Sequence, residues 1–185
     1  MDEKLNELEK TLEGFIDYSY GFNVKLLGLP QLSPTEEAHE TSSLCVKLFN
    51  AMGAMSVSIN DIDIAHRVPT RVAWDGPKPV ICEFTRRLAR NAVMAVRREI
   101  SSVSPTDLGL PADEDLSHTR VVDHLSPKRQ QLYTDAKNFK SRYNFNYCWV
   151  KNGVILLRKT EDSSPVKKKK AEDLYELTRT EEVDY

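Results

Sequence analysis

Ile62-Asp63-Ile64-Ala65-His66-Arg67-Val68-Pro69, followed by Pro79-Val80-Ile81-Cys82-Glu83-Phe84-Thr85-Arg86-Arg87, is the stretch that decides the fold. Ile62, Ile64, His66 and Val68 alternate with Asp63, Ala65 and Arg67, the period of two that a half-buried strand requires. Pro69 to Pro79 reads as a loop. Residues 79–84 form a second strand, with Val80, Cys82 and Phe84 facing one way. Each strand exits into arginine. A guanidinium at the end of an apolar strand makes sense where it points at an anion, so a nucleic-acid backbone is the first partner these residues suggest.

Working outward, Val24-Lys25-Leu26-Leu27-Gly28-Leu29-Pro30 reads as an earlier strand stopped by glycine and proline. Leu44, Cys45, Leu48, Phe49 and Met52 make the stripe of a helix, with Gly53 at its left-handed end. After the arginines, a second helix takes Thr85 as N-cap and Leu88, Ala92, Val93, Val96 and Ile100 as its buried stripe. A polar acidic loop, 101–117, leads to a strand at Thr119–Asp123. The order β-α-β-β-α-β over residues 22–124 is that of a ferredoxin-like sandwich in an α+β protein. Beyond it, Ser126-Pro127 opens a helix whose Leu132, Ala136, Phe139 and Tyr143 face inward. Asn152-Gly153 then joins the strands Tyr147–Val150 and Val154–Arg158 in a hairpin. This places a small helix-hairpin domain at 125–160 and a disordered charged tail at 161–185.

Ahead of the sandwich, residues 1–21 read as an amphipathic helix. Leu5, Leu8, Leu12, Phe15 and Phe22 fall at spacings of 3, 4, 3 and 7, an a/d seam for a coiled coil or for docking on the chain's own domain. Oligomerisation is expected through Leu5, Leu8, Leu12 and Phe15.

The net charge of −2 hides segregation. Residues 66–102 carry 8 basic and 3 acidic side chains (+5), and residues 120–159 carry 9 and 2 (+7), while residues 1–65 carry 4 and 11 (−7). Cys45, Cys82 and Cys148 are scattered in apolar stretches, with no CxxC pair or Cys/His cluster, so reduced thiols in an intracellular protein are expected and a zinc site is not. No apolar run is long enough for a signal core or a membrane span. His66, His118 and His124 lie near acids in sequence, but no nucleophile motif or phosphate loop accompanies them. Neither catalysis nor a cofactor is expected.

In this order the seam, the strand 24–30, Ala65–Pro69, Pro79–Arg87, and Leu125-Ser126-Pro127 with its helix and hairpin resemble the first-reading-frame nucleic-acid-binding protein of LINE-type non-LTR retrotransposons. The baculoviral few-polyhedra family looks similar through the same region. The resemblance implies a trimerising coiled coil, an RRM and a C-terminal domain that bind single-stranded RNA or DNA with little sequence preference, coat the transcript and act as a chaperone. The alternative it implies is a non-enzymatic adaptor that uses the coiled coil and the RRM-like sheet for partners. At the positions where an RRM carries stacking aromatics, this chain has Lys25, Pro79 and Ile81, so binding falls to phosphate contacts. The expected contacts are Lys25, Arg67, Arg86, Arg87, Arg90, Lys128, Arg129 and Lys140, with Arg97 and Arg98 behind them. Tyr147 and Trp149 share a strand face, where core packing outweighs base stacking in the reading. A cytoplasmic ribonucleoprotein is expected; Lys167–Lys170 fits either a nuclear import signal or a solvated tail.

Overall fold

The computed structural model describes residues 2–70, 73, 75–169 and 171–183. Helix α1 (Asp2–Tyr20) leads into β1 (Asn23–Leu27), α2 (Ala38–Ala51), β2 (Ile62–Arg67), β3 (Val80–Phe84), α3 (Arg87–Ala95) and β4 (Arg120–Asp123). There follow α4 (Pro127–Arg142), β5 (Tyr147–Lys151), β6 (Val154–Arg158), β7 (Val166–Lys168) and α5 (Ala171–Val183). The chain is α+β and divides into two compact units. One is Gly21–His124; the other joins the residues up to Tyr20 with those from Leu125 on.

In the first unit the four strands form an antiparallel sheet in the order β2-β3-β1-β4, the ferredoxin-like arrangement. One face of the sheet packs on α2 and α3. Val24, Leu26, Leu44, Leu48, Phe49, Val80, Cys82 and Val93 form its fully buried centre, and the Phe49 and Phe84 rings stack at 5.7 Å. Each such side chain contributes about 1.5–3 kcal/mol by leaving water. Gly28 ends β1 at φ +66°, and a Cβ there would lie 2.5 Å from the His118 carbonyl oxygen. Only glycine lets the segment before β4 approach so closely.

Two phases differ from those the sequence suggests. The pairing of β2 with β3 shifts register between Ile62 and Ile64, an irregularity of the bulge type. Ile62 and Ala65 are buried, whereas Ile64 is partly exposed, so strict alternation does not run through the strand. In α3 the buried residues are Ala89, Arg90, Val93 and Met94, while Leu88 is 78% exposed. Of the expected stripe, Val93 and Ile100 are buried and Ala92 and Val96 pack against the core, whereas Leu88 turns outward and Ala89, Arg90 and Met94 are buried in addition. Arg86, not Thr85, occupies the N-cap position, and the Thr85 hydroxyl instead donates to the Asn60 carbonyl at 3.3 Å. The helix then tightens into a 3₁₀ segment, Arg97–Ser102, anchored by buried Ile100.

In the second unit, Ser126 caps α4 by accepting the Arg129 N–H, with Pro127 in the first turn. Asn152 and Gly153 both have positive φ (51° and 72°), the backbone of a tight hairpin turn between β5 and β6. Leu132, Ala136, Phe139, Phe145, Ile155, Leu157 and Leu174 form a second core. The disordered tail expected at 161–185 is a correction. Val166–Lys168 pairs antiparallel with β6, and α5 inserts Leu174 into that core. The hydrophobic pattern there is sparse, but a few well-placed apolar residues suffice on a preformed sheet. No helix among the described residues is long and apolar enough to cross a membrane.

Candidate nucleic-acid interface

Buried arginine must satisfy its five N–H donors inside the protein, and that demand decides which of the basic residues remain available. Arg67 is used up. Its Nε donates to Glu36 Oε1 (2.9 Å), Nη1 to the carbonyls of Leu29 (2.6 Å) and Lys78 (3.1 Å), and Nη2 to the Pro30 carbonyl (2.8 Å) and Glu36 Oε2 (3.3 Å). Its side chain is 8% exposed and that of Glu36 is 0%. Burial pushes the Glu36 carboxyl up, but hydrogen bonds from Arg67, the Leu32 N–H and Thr41 outweigh it and hold the group below its ordinary value. Arg90, 3% exposed, binds Asp123 at 2.6 Å and reaches the Asn23 carbonyl. These two arginines tie helix-side segments to the sheet, and expecting them to contact phosphate is corrected by their burial.

The remaining expected contacts are also engaged, though less deeply. Arg86 pairs with buried Asp61, whose carboxyl the Ser58 N–H and then Arg86 hold below its usual range. Arg87 is exposed and lies over the Phe22 ring at 4.9 Å. Lys25 is half-buried on the sheet face away from the helices, in one cross-strand row with His66, Ile81 and Val122. His124 lies nearby. Burial, then Lys25 and then His66, bring its imidazole down to about 4.

In the second unit Lys128 pairs with Glu13 of α1, and Arg129 forks onto Asp17 (2.9 and 2.8 Å) while donating to the Gly153 carbonyl. Lys140 is half-buried near the Cys148 thiol, which burial raises and Lys140 and Lys137 partly restore. The acidic face of α1 thus neutralises the start of α4. Its apolar stripe is separate: Leu5, Leu8, Leu12 and Phe15 are 54–68% exposed. At 100° per residue that stripe is centred about 140° around the helix from Glu13 and Asp17. Of the run Lys167–Lys170, Lys168 is buried and donates to the Asp173 carbonyl (2.6 Å), and Lys170 lies outside the described residues.

What the fold assembles instead is a cleft of about 780 Å³ along the outer edge of β4. Arg97 and Arg98 come from the 3₁₀ segment, Arg120 from the start of β4, and Ser101 and Ser117 from the adjoining loops, over a floor that includes Ile100 and Val121. Among the described residues no carboxylate lines it. Arg97 donates once, to the Met94 carbonyl (2.8 Å), and Arg120 Nη1 donates to the Ser117 and Thr119 carbonyls (2.8 and 2.9 Å). Among the described residues none of the three arginines forms an ion pair. The Ser117 loop is itself held by Asp115, which accepts the Ser117 N–H at 2.8 Å. Buried Ile100 and Val121 hold the arginines in place by anchoring their segments in the core. Arg120 carried no sequence signal of its own. It stands on a strand, 22 residues beyond Arg98, and the packing of the 3₁₀ segment against β4 brings the two together.

Among the described residues no group of three or more His, Cys, Asp or Glu side chains is placed to hold a metal ion. Compared with known proteins, residues 126–178 match a family model described as Baculovirus FP protein domain 2. That match begins at the cap of α4 and runs through β7 into α5, so it covers the second unit's helix, sheet and last helix. No curated protein matches the chain. By sequence, the stretch from Ser126 to Thr178 is similar to the second domain of the baculovirus FP protein.

Proposed function

We propose that this protein binds single-stranded nucleic acid with little sequence preference, holding phosphates in the Arg97–Arg98–Arg120 cleft. The observation that carries the reading is three arginines converging on one cleft that, among the described residues, no carboxylate lines. Guanidinium forks suit phosphate oxygens, and contacts of this kind position a strand without reading its bases. The resemblance to LINE-type first-reading-frame proteins supplies the wider role of coating a transcript and chaperoning it. Copies joined through the apolar stripe of α1 would multiply a modest single-site affinity.

Fluorescence anisotropy with a single-stranded RNA at several salt concentrations tests this. Each phosphate contact in a single strand adds about −0.7 to the slope of log K against log salt. The variant Arg97→Ala/Arg98→Ala/Arg120→Ala should therefore flatten the slope by about 2 and weaken binding alike on unrelated sequences. An unchanged slope removes the cleft from the reading, and undetectable wild-type binding removes the reading itself. A second reading, a protein-interaction adaptor, is supported by the similarity of residues 126–178 to Baculovirus FP protein domain 2 and by the exposed stripe of α1. Salt-insensitive or absent RNA binding favours it.

A further inference from the structure

In the sheet β5-β6-β7, residues alternate between two faces. Ile155 and Leu157 belong to the second core, with Cys148 and Val150 packed against it, on the side that α4 covers. The register pairs Tyr147 with Arg158, Trp149 with Leu156, and Leu156 with Lys167. The face away from α4 therefore carries Tyr147, Trp149 and Lys151 on one strand, with Arg158 and Lys167 on its neighbours. The aromatics are not core residues, contrary to the reading the sequence favours. Both are partly exposed and lie outside the second core, while Lys151 and Lys167 are exposed. The Arg158 guanidinium lies 4.4 Å over the Tyr147 ring, and its buried Nε has no hydrogen-bond partner. Glu161 accepts the Tyr147 hydroxyl at 3.0 Å.

We propose that this face is a stacking platform for unpaired bases, with Trp149 as the principal surface and Lys151, Arg158 and Lys167 taking the adjoining phosphates. It rests on the nucleic-acid reading above and adds the element that reading lacks. Aromatic surface with cations spaced around it suits a polyanion whose repeating unit has a flat apolar face. Such an occupant matches both halves of the patch, where an acidic peptide would match only the charge. The four-stranded sheet has Lys25 and Ile81 in the corresponding places, so the second sheet offers the stacking that the first does not.

The experiment compares a single-stranded RNA with an abasic phosphodiester oligomer of equal length, using the 185-residue chain carrying Trp74→Phe so that Trp149 is the one tryptophan in it. The platform predicts quenching of Trp149 by RNA and about tenfold tighter binding of RNA than of the abasic strand. Trp149→Leu should abolish that preference and leave the salt slope unchanged, while Trp149→Phe should keep most of it. The exposed pair Lys151→Gln/Lys167→Gln, which carries little folding risk, should flatten the slope by about 1.4 and preserve the preference. Equal binding of both oligomers, or a preference that survives Trp149→Leu, overturns the platform while phosphate binding in the cleft still stands. Binding of neither oligomer overturns both.

Discussion

Replacing Arg67 with alanine distinguishes a structural arginine from a phosphate contact. The guanidinium spends all five donors on Glu36 and the carbonyls of Leu29, Pro30 and Lys78. Removing it leaves the Glu36 carboxylate, covered in the intact pair, with the Leu32 N–H and the Thr41 hydroxyl but without its cation. Breaking a buried pair by deleting one partner costs about 3–5 kcal/mol, because the survivor stays charged out of water or must take up a proton. The carbonyls that lose donors lie within that range rather than beyond it, since water can reach some of them. In a unit of this size each kcal/mol moves the melting temperature by about 4–8 °C, so a fall of at least 12 °C is expected. Urea titration followed by circular dichroism measures the loss, and RNA anisotropy on the still-folded variant measures the affinity. Arg67→Met/Glu36→Leu should recover much of the stability, because an apolar pair removes both desolvation penalties. A loss below about 1 kcal/mol together with a tenfold weaker affinity for RNA would refute the reasoning and return Arg67 to the interface.

Acid should weaken the fold in two stages. The imidazole of His124 stays neutral until about pH 4 in the folded chain, against an ordinary 6.5. The unfolded chain takes up the proton first, so the stability this histidine provides is complete above 6.5 and drains away as pH falls toward 4. Partial exposure limits that loss to about 1 kcal/mol, and His124→Gln should flatten the urea midpoint between pH 7 and 4.5. Glu36 and Asp61 have lowered carboxyls, so the stability they supply is present above their ordinary 4.5 and 3.8 and is lost as pH drops further. For the apolar stripe of α1, Leu8→Glu/Leu12→Glu should reduce the sedimenting species to single chains at unchanged helix content. A wild-type protein that already sediments as a single chain would remove self-association.

Much of the architecture was readable from local chemistry. The alternation of β3, the stripe of α2, the cap at Ser126 and the turn at Asn152-Gly153 are each determined within a few residues. The site was far less so. Arg90 faces inward because α3 buries Ala89, Arg90, Val93 and Met94 and turns Leu88 to the outside. Arg67 finds its carboxylate 31 residues away, Arg90 finds one 33 residues away, and Arg129 one 112 residues away. Nothing in the spacing of arginines says which will meet an acid.

The chain by itself therefore determined the elements, their order and the segregation of its charge, since these depend on side-chain size, backbone preference and composition. Tertiary structure alone decided which cations stay unneutralised. Desolvation and ion pairing act between residues that folding brings together, and here folding spends Arg67, Arg90 and Arg129 on structure while leaving Arg97, Arg98 and Arg120 around one cleft.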